Sequence, residues 1–109
     1  FGTGLAFGMP AGWCIEGYSR SGHGHKNGVS LSNSVAQIDT DYTGQLMISL
    51  RNDGPKPFEV FNGNRIAQIK FERVNEVVLV EWDGELDSTE RGAGGFGSTG
   101  RDAIAGGVR

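Results

Sequence analysis

Apolar residues in this chain come only in short runs, and glycine, proline, asparagine or aspartate cuts off each one. Leu5-Ala6-Phe7 stops at Met9-Pro10-Ala11-Gly12, and Trp13-Cys14-Ile15 leads to Tyr18. Val35-Ala36-Gln37-Ile38 precedes a turn-like Asp39-Thr40-Asp41-Tyr42-Thr43-Gly44. Leu46-Met47-Ile48-Ser49-Leu50 reads as a strand, ended by Asn52-Asp53-Gly54-Pro55. Phe58-Glu59-Val60-Phe61 alternates with period two, turned by Asn62-Gly63; the run from Ile66 to Val74 alternates again. Val77-Val78-Leu79-Val80-Glu81-Trp82 is β-branched and aliphatic. Strands of this length between turn residues predict an all-β sandwich or barrel. No segment keeps a 3.6-residue apolar period over about twelve residues. One short helical turn is expected near Ser21, where glycines argue against a long helix.

Size and charge exclude several functions. A chain of 109 residues makes one domain at most, with a modest core. A formal net charge of −3 argues against broad binding to a nucleic-acid backbone. Any phosphate site must be assembled locally from a few arginines. The lone Cys14, in Gly-Trp-Cys-Ile, is expected to be a small buried hydrophobe, and one cysteine permits no disulfide within the chain. No apolar run approaches the length of a membrane helix and no signal peptide is visible, so a cytoplasmic or other cell-interior protein is expected. The chain starts at Phe1, not Met, which suggests residues upstream.

Four polar clusters carry chemistry. Arg20-Ser21-Gly22 opens a loop that continues His23-Gly24-His25-Lys26. A cation, a hydroxyl and free N–H groups at a turn or helix start can hold phosphate oxygens; an ordinary polar loop has the same composition. His23 and His25 also make an H-x-H pair, without a third ligand of matching pattern for zinc. The second cluster runs from Asn33 to Tyr42. Asp39 and Asp41 point the same way if the backbone is extended, and one carboxylate can orient or deprotonate a water. A hairpin turn that simply favours Asp, Thr and Gly fits equally. The third is Gly63-Asn64-Arg65-Ile66-Ala67-Gln68, where Arg65 and Gln68 are polar between isoleucines expected to be buried; an edge strand with solvated polar positions reads the same way.

The fourth cluster is Arg91-Gly92-Ala93-Gly94-Gly95-Phe96-Gly97-Ser98-Thr99-Gly100-Arg101. Its five glycines in eleven residues prevent a packed helix or strand and leave N–H groups free to turn toward one ligand. Two arginines, two hydroxyls and one aromatic suit a polyphosphate grip with a stacking lid, though a flexible glycine-rich tail shares the composition. Gly95 to Gly100 fits half of a Walker loop, but Arg101-Asp102 stands where that loop has Lys and then Ser or Thr. The arm is therefore expected to close over a ligand bound elsewhere.

In this order and spacing the clusters resemble the dUTPase family of the trimeric type. Arg20-Ser21-Gly22 resembles its second motif and Gln37-Ile38-Asp39-Thr40-Asp41-Tyr42-Thr43-Gly44 its third; residues 63–68 resemble the fourth and residues 91–101 the fifth. The resemblance implies a distorted jelly-roll β-barrel (a β-clip) with at most one short helix, assembled as a homotrimer whose subunits share their active sites. It implies a β domain over residues 1–90 and an arm over 91–101 that crosses to a neighbour; residues 102–109 match no motif and are expected to be a disordered tail. It implies hydrolysis of dUTP to dUMP and pyrophosphate with Mg²⁺, the metal held mainly by phosphates and waters. Asp39 would activate the water, and Tyr42 would pack on deoxyribose. Asn33 and the hairpin backbone would hold uracil, and Met47 would be a further substrate contact. Arg20, Ser21, Gly22 and Gln68 would meet phosphate. Phe96 and Gly97 would cover the base, and Arg91, Ser98 and Thr99 would reach the terminal phosphate.

The family's first motif, of Ala-Gly-x-Asp-Leu type, is not in the sequence, and His23 stands where that family commonly has an apolar residue. The related dCTP deaminases place a catalytic glutamate where this chain has Ser49, which argues against deamination. A non-catalytic relative that binds nucleotide or a protein partner is the other alternative.

Overall fold

The structure is a computed structural model and describes residues 1–96. The chain divides into two units, Phe1–Val77 and a second beginning at Val78. Every regular element among the described residues lies in the first. In chain order these are β1 (Trp13–Ser19), α1 (Ser21–Asn27), β2 (Val29–Leu31), β3 (Ala36–Ile38), β4 (Leu50–Asn52) and β5 (Ala67–Arg73).

β1 is the centre of a three-stranded antiparallel sheet ordered β3-β1-β5. Ile15 faces Ile38 on one side and Phe71 on the other, and Ser19 faces Ala67. β2 and β4 form a separate antiparallel pair, with Leu31 opposite Leu50. Two glycines link α1 to the turn after β4. Gly28 caps the helix at φ 68°, and its N–H donates to the Gly24 carbonyl at 3.1 Å. A Cβ there would come 2.8 Å from the Gly54 nitrogen, so both the left-handed backbone and the close approach require glycine.

The core gathers Leu31, Leu46 and Ile48, covered by Phe7, Ala36, Ile38, Leu50, Ile66, Ala67 and Ile69. Cys14 and Ile15 are also buried, as expected of an isolated cysteine among apolar residues.

Three predicted strands differ. Residues 46–50 show the expected alternation, with Leu46 and Ile48 inside and Met47 and Ser49 outside. Their partners are residues 1–5 and not a regular ladder. The Leu46 N–H donates to the Leu5 carbonyl at 2.7 Å and the Ile48 N–H to the Phe1 carbonyl at 2.8 Å, with one isolated bridge between Gly2 and Met47. Gly4, at φ 73°, breaks the regularity of that partner. Residues 58–61 keep their alternation of burial but form no ladder. Residues 77–82 form no strand and leave their apolar side chains in solvent, with Leu79 92% exposed. The helix, by contrast, is longer than one turn despite Gly22 and Gly24.

Candidate functional site

Four of the residues singled out in the sequence line one cavity of about 230 Å³: Asn33, Asp39, Tyr42 and Met47. Ala36, Gln37, Ile38 and Leu46 complete it. The sheet explains the convergence. β3 is an edge strand, so the backbone of residues 36–38 has one row of polar groups unclaimed by a neighbouring strand. The chain then turns: the Tyr42 N–H donates to the Asp39 carbonyl at 3.1 Å, and the Thr40 hydroxyl donates to the Trp13 carbonyl. The turn also removes Asp41 from the cavity, so the expected common direction of Asp39 and Asp41 does not arise.

Three of the polar members are held. Gln37 Nε2 donates to Asp39 Oδ1 at 2.9 Å. Tyr42 donates its hydroxyl to the Gln45 carbonyl at 2.8 Å, and its ring lies so close to Gly44 that a Cβ there would come 2.7 Å from it. The ring is therefore fastened at its hydroxyl edge and 45% exposed. Leu46 supplies a buried apolar floor, while Met47 is 59% exposed at the rim.

The second group gathers at the other end of β1. Arg20 follows that strand directly and is half-buried, and Ser21 and Gly22 begin α1 in solvent. Gln68 faces Tyr18 across the β1–β5 ladder, and its Nε2 donates to the Ser19 carbonyl at 2.9 Å. Ser19 also accepts the Leu31 N–H on its hydroxyl at 2.8 Å. These bonds hold Arg20 and Gln68 near one another. The ladder sets Ile38, the residue before Asp39, opposite Ile15, and the strand from Ile15 to Arg20 covers about 17 Å at the ordinary rise. Within one chain the Asp39 group and the Arg20 group are thus separate.

The second unit contains the start of the glycine arm. Arg91 Nε donates to the Gly94 carbonyl at 2.8 Å, and Gly92, at φ 52°, sends its N–H to Thr89. Arg91 thereby closes its own turn through Nε, and among the described residues its terminal guanidinium nitrogens make no hydrogen bond. Phe96 is fully exposed. Gly97, Ser98 and Thr99, with the rest of the arm and residues 102–109, lie outside the described residues.

Among the described residues no three His, Cys, Asp or Glu side chains gather as a metal cage. None of the helices there is long and apolar enough to cross a membrane.

A family model described as dUTPase matches residues 15–100. The chain belongs to the dUTPase family. A deoxyuridine 5'-triphosphate nucleotidohydrolase from Serratia proteamaculans (strain 568) is 57% identical over 84 residues, which is 75% of this chain and 53% of that one. One from Methylocella silvestris is 47% identical over 102 residues, 94% of this chain and 63% of its own. The chain therefore spans between half and two thirds of these relatives. Among solved structures it is similar to a mutant dUTPase of Staphylococcus bacteriophage 80alpha with dUpNHpp. The TM-score is 0.70 and the identity 26%, over 88% of this chain and 72% of the other. The fold is thus the all-β dUTPase jelly roll with one short helix, as the motifs implied.

Motif reading within the dUTPase family missed two kinds of residue. Gln37 touches the carboxylate of Asp39, and its signal was available: it stands two residues earlier, on the same side of a strand. The Leu46 floor was visible as alternation. His23 stands where the family commonly has an apolar residue, and that departure carries a bond of its own. Its Nε2 lies 2.9 Å from the Arg65 carbonyl, 42 residues away, and nothing local in the sequence signals that partner.

Proposed function

We propose that this chain hydrolyses dUTP to dUMP and pyrophosphate, which would limit uracil in DNA and supply dUMP for thymidylate. The observation that supports this most is the single cavity in which Asn33, Asp39, Tyr42 and Met47 meet. Uracil presents N3–H as a donor between two carbonyl acceptors. The free edge of β3, with Asn33 beside it, offers complementary groups. Cytosine reverses the pattern at N3 and C4 and would leave buried polar groups unpaired, which discriminates strongly. The Tyr42 ring, tied at its hydroxyl, would present its face to deoxyribose and leave no room for a 2′-hydroxyl.

Asp39 is the residue we assign to the attacking water. Gln37 occupies Oδ1, and Oδ2 is the oxygen we assign to accept a proton from that water. In-line displacement at phosphorus needs a placed nucleophile and neutralised oxygens more than covalent help. The bond between the α- and β-phosphoryl groups breaks, and pyrophosphate leaves. A cavity with one carboxylate suits Mg²⁺, which favours phosphate oxygens and waters over a protein cage. When bound with the triphosphate it would neutralise phosphate charge. Arg20, Ser21, Gly22 and Gln68 are assigned to phosphate oxygens. The arm, with Arg91, Phe96, Gly97, Ser98 and Thr99, is assigned to cover the base and the terminal phosphate.

The Asp39 and Arg20 groups stand at opposite ends of β1 and line different cavities. We infer a homotrimer with shared sites, in which one subunit supplies the base pocket and another the phosphate contacts. The large apolar side chains Val78, Leu79, Val80, Trp82 and Leu86, all left in solvent, support it, because so many exposed apolar residues in one stretch of chain suit a contact face. Such an enzyme belongs in the cell interior with its nucleotide.

The test is turnover of dUTP, dCTP and dTTP with Mg²⁺, followed by chromatography. Release of dUMP from dUTP alone is expected. Equal turnover of dCTP would overturn the base pocket, and no turnover of any nucleotide would overturn the enzyme.

A further inference from the structure

We propose that His23 is a positioning residue that latches the Arg20-Ser21-Gly22 turn to the loop of residues 63–68. The proposal rests on the phosphate role assigned above to that turn, and it concerns how this chain holds the turn in place.

α1 is poorly anchored by its own sequence. It buries no residue, and Arg20, the residue that precedes it, makes no side-chain capping bond. Its C-terminal end is secured, since Gly28 caps it and accepts the Asp53 N–H at 3.0 Å. The N-terminal half lacks such a tie in the backbone. The exception is the His23 side chain. Its Nε2 lies 2.9 Å from the Arg65 carbonyl oxygen, and its ring stands edge-on to Phe58 with centroids 5.0 Å apart at 67°. A carbonyl oxygen only accepts, so Nε2 carries the proton in this pairing. The geometry is two-sided: the Phe58 contact orients the ring, and the hydrogen bond reaches across the chain.

The consequence falls on two phosphate groups at once. Arg20, His23 and Arg65 line one cavity of about 460 Å³. Arg65 lies three residues before Gln68, which is tied to the Ser19 carbonyl. His23 and Gln68 therefore fasten the same short stretch, residues 19–23, from its two ends. An apolar side chain at position 23 would pack on Phe58 but could not bond the carbonyl. With the latch gone, α1 keeps its helix but Arg20 and Ser21 lose a common reference with Gln68.

Three variants separate donor from bulk. His23→Ala removes both, His23→Phe keeps an aromatic ring without a donor, and His23→Gln keeps an N–H donor of similar reach. The KM for dUTP is expected to rise about fivefold in His23→Ala and His23→Phe, the effect of one ordinary net hydrogen bond. His23→Gln should restore most of the loss. Inhibition by deoxyuridine, which has no phosphate, should be unchanged in all three. Amide hydrogen exchange supplies a readout independent of turnover: residues 20–24 should exchange faster in the alanine and phenylalanine variants and not in the glutamine variant. The latch is overturned if His23→Gln behaves like His23→Phe, or if deoxyuridine affinity falls in step with dUTP. An inactive native chain would overturn the hydrolase reading instead, while hydrogen exchange would still decide the latch.

Discussion

The two ends of β1 present opposite solutions to binding. At the Cys14 end the chain builds a shaped pocket on top of its core. Leu46 and Ile38 give it an apolar wall, and two of its polar members are tied by neighbours: Asp39 by Gln37, Tyr42 by the Gln45 carbonyl. At the Arg20 end the groups sit on or near the surface, and side chain-to-backbone bonds to Ser19 and Arg65 hold them. A planar base is recognised by shape and by paired donors and acceptors, which need rigid walls. A polyphosphate is recognised by charge and hydrogen-bond donors, which need position more than enclosure. On the proposed function, the difference means that one chain carries two half-sites of different chemistry, each useful only with the other.

The largest effect should come from the pocket end. Asp39→Ala removes the carboxylate assigned to the water, so kcat is expected to fall about 10²- to 10⁴-fold. Binding of a non-hydrolysable analogue should persist, as calorimetry would show. Retained turnover would sink the role of Asp39. At the opposite end, Arg20→Ala should act mainly on KM for dUTP. Loss of one hydrogen bond to a charged group corresponds to roughly 10- to 100-fold.

Combining the two variants tests whether the half-sites belong to different subunits. Co-expressed Asp39→Ala and Arg20→Ala chains should regain activity, because about one site in four would draw an intact Asp39 from one subunit and an intact Arg20 from another. A site built within one chain would stay dead in every mixture. Gel filtration of the same mixture would show whether assembly occurred.

How far the sequence reveals this contrast depends on the range of the contacts. The strand of residues 13–19, the helix after it, the strand 67–73 and the pocket residues Asn33, Asp39, Tyr42 and Met47 are legible, because local patterns and motif spacing mark them. Residues 46–50 are legible as extended and partly buried, but not their partner, since pairing with residues 1–5 is a long-range choice. Residues 77–82 have strand composition and no ladder: β propensity describes a surface suited to pleating and cannot supply a neighbour. His23 and Arg65 meet across 42 residues, beyond any motif window.

The smallest effect lies between the half-sites, on the exposed face of the β1–β5 ladder. Tyr18 donates its hydroxyl to Glu16 Oε2, and Lys70 reaches the carboxylates of Glu16 and Glu72. The Tyr18 hydroxyl, helped by Lys70, lowers the Glu16 carboxyl below its ordinary 4.5. The same hydrogen bond raises the Tyr18 phenol, and the bond to Glu72 first, then that to Tyr18, raises the Lys70 ammonium. A lowered carboxyl stabilises the fold at pH above its unfolded value and loses that contribution as pH falls through its folded value. The raised phenol and ammonium do the reverse, contributing below their ordinary values near 10 and fading at higher pH. Because solvent screens these groups, the effect on stability is expected to be slight. Glu16→Gln should therefore flatten the fall in Tm between pH 5 and pH 3, and part of the fall above pH 10, with little change in Tm at pH 7. It should also change kcat and KM for dUTP little, since Glu16 itself is assigned to neither half-site, although its partner Tyr18 faces Gln68 across the ladder. A shift in KM as large as that of Arg20→Ala would show that the strand between the two ends transmits strain between them, and the separation of the half-sites would have to be redrawn.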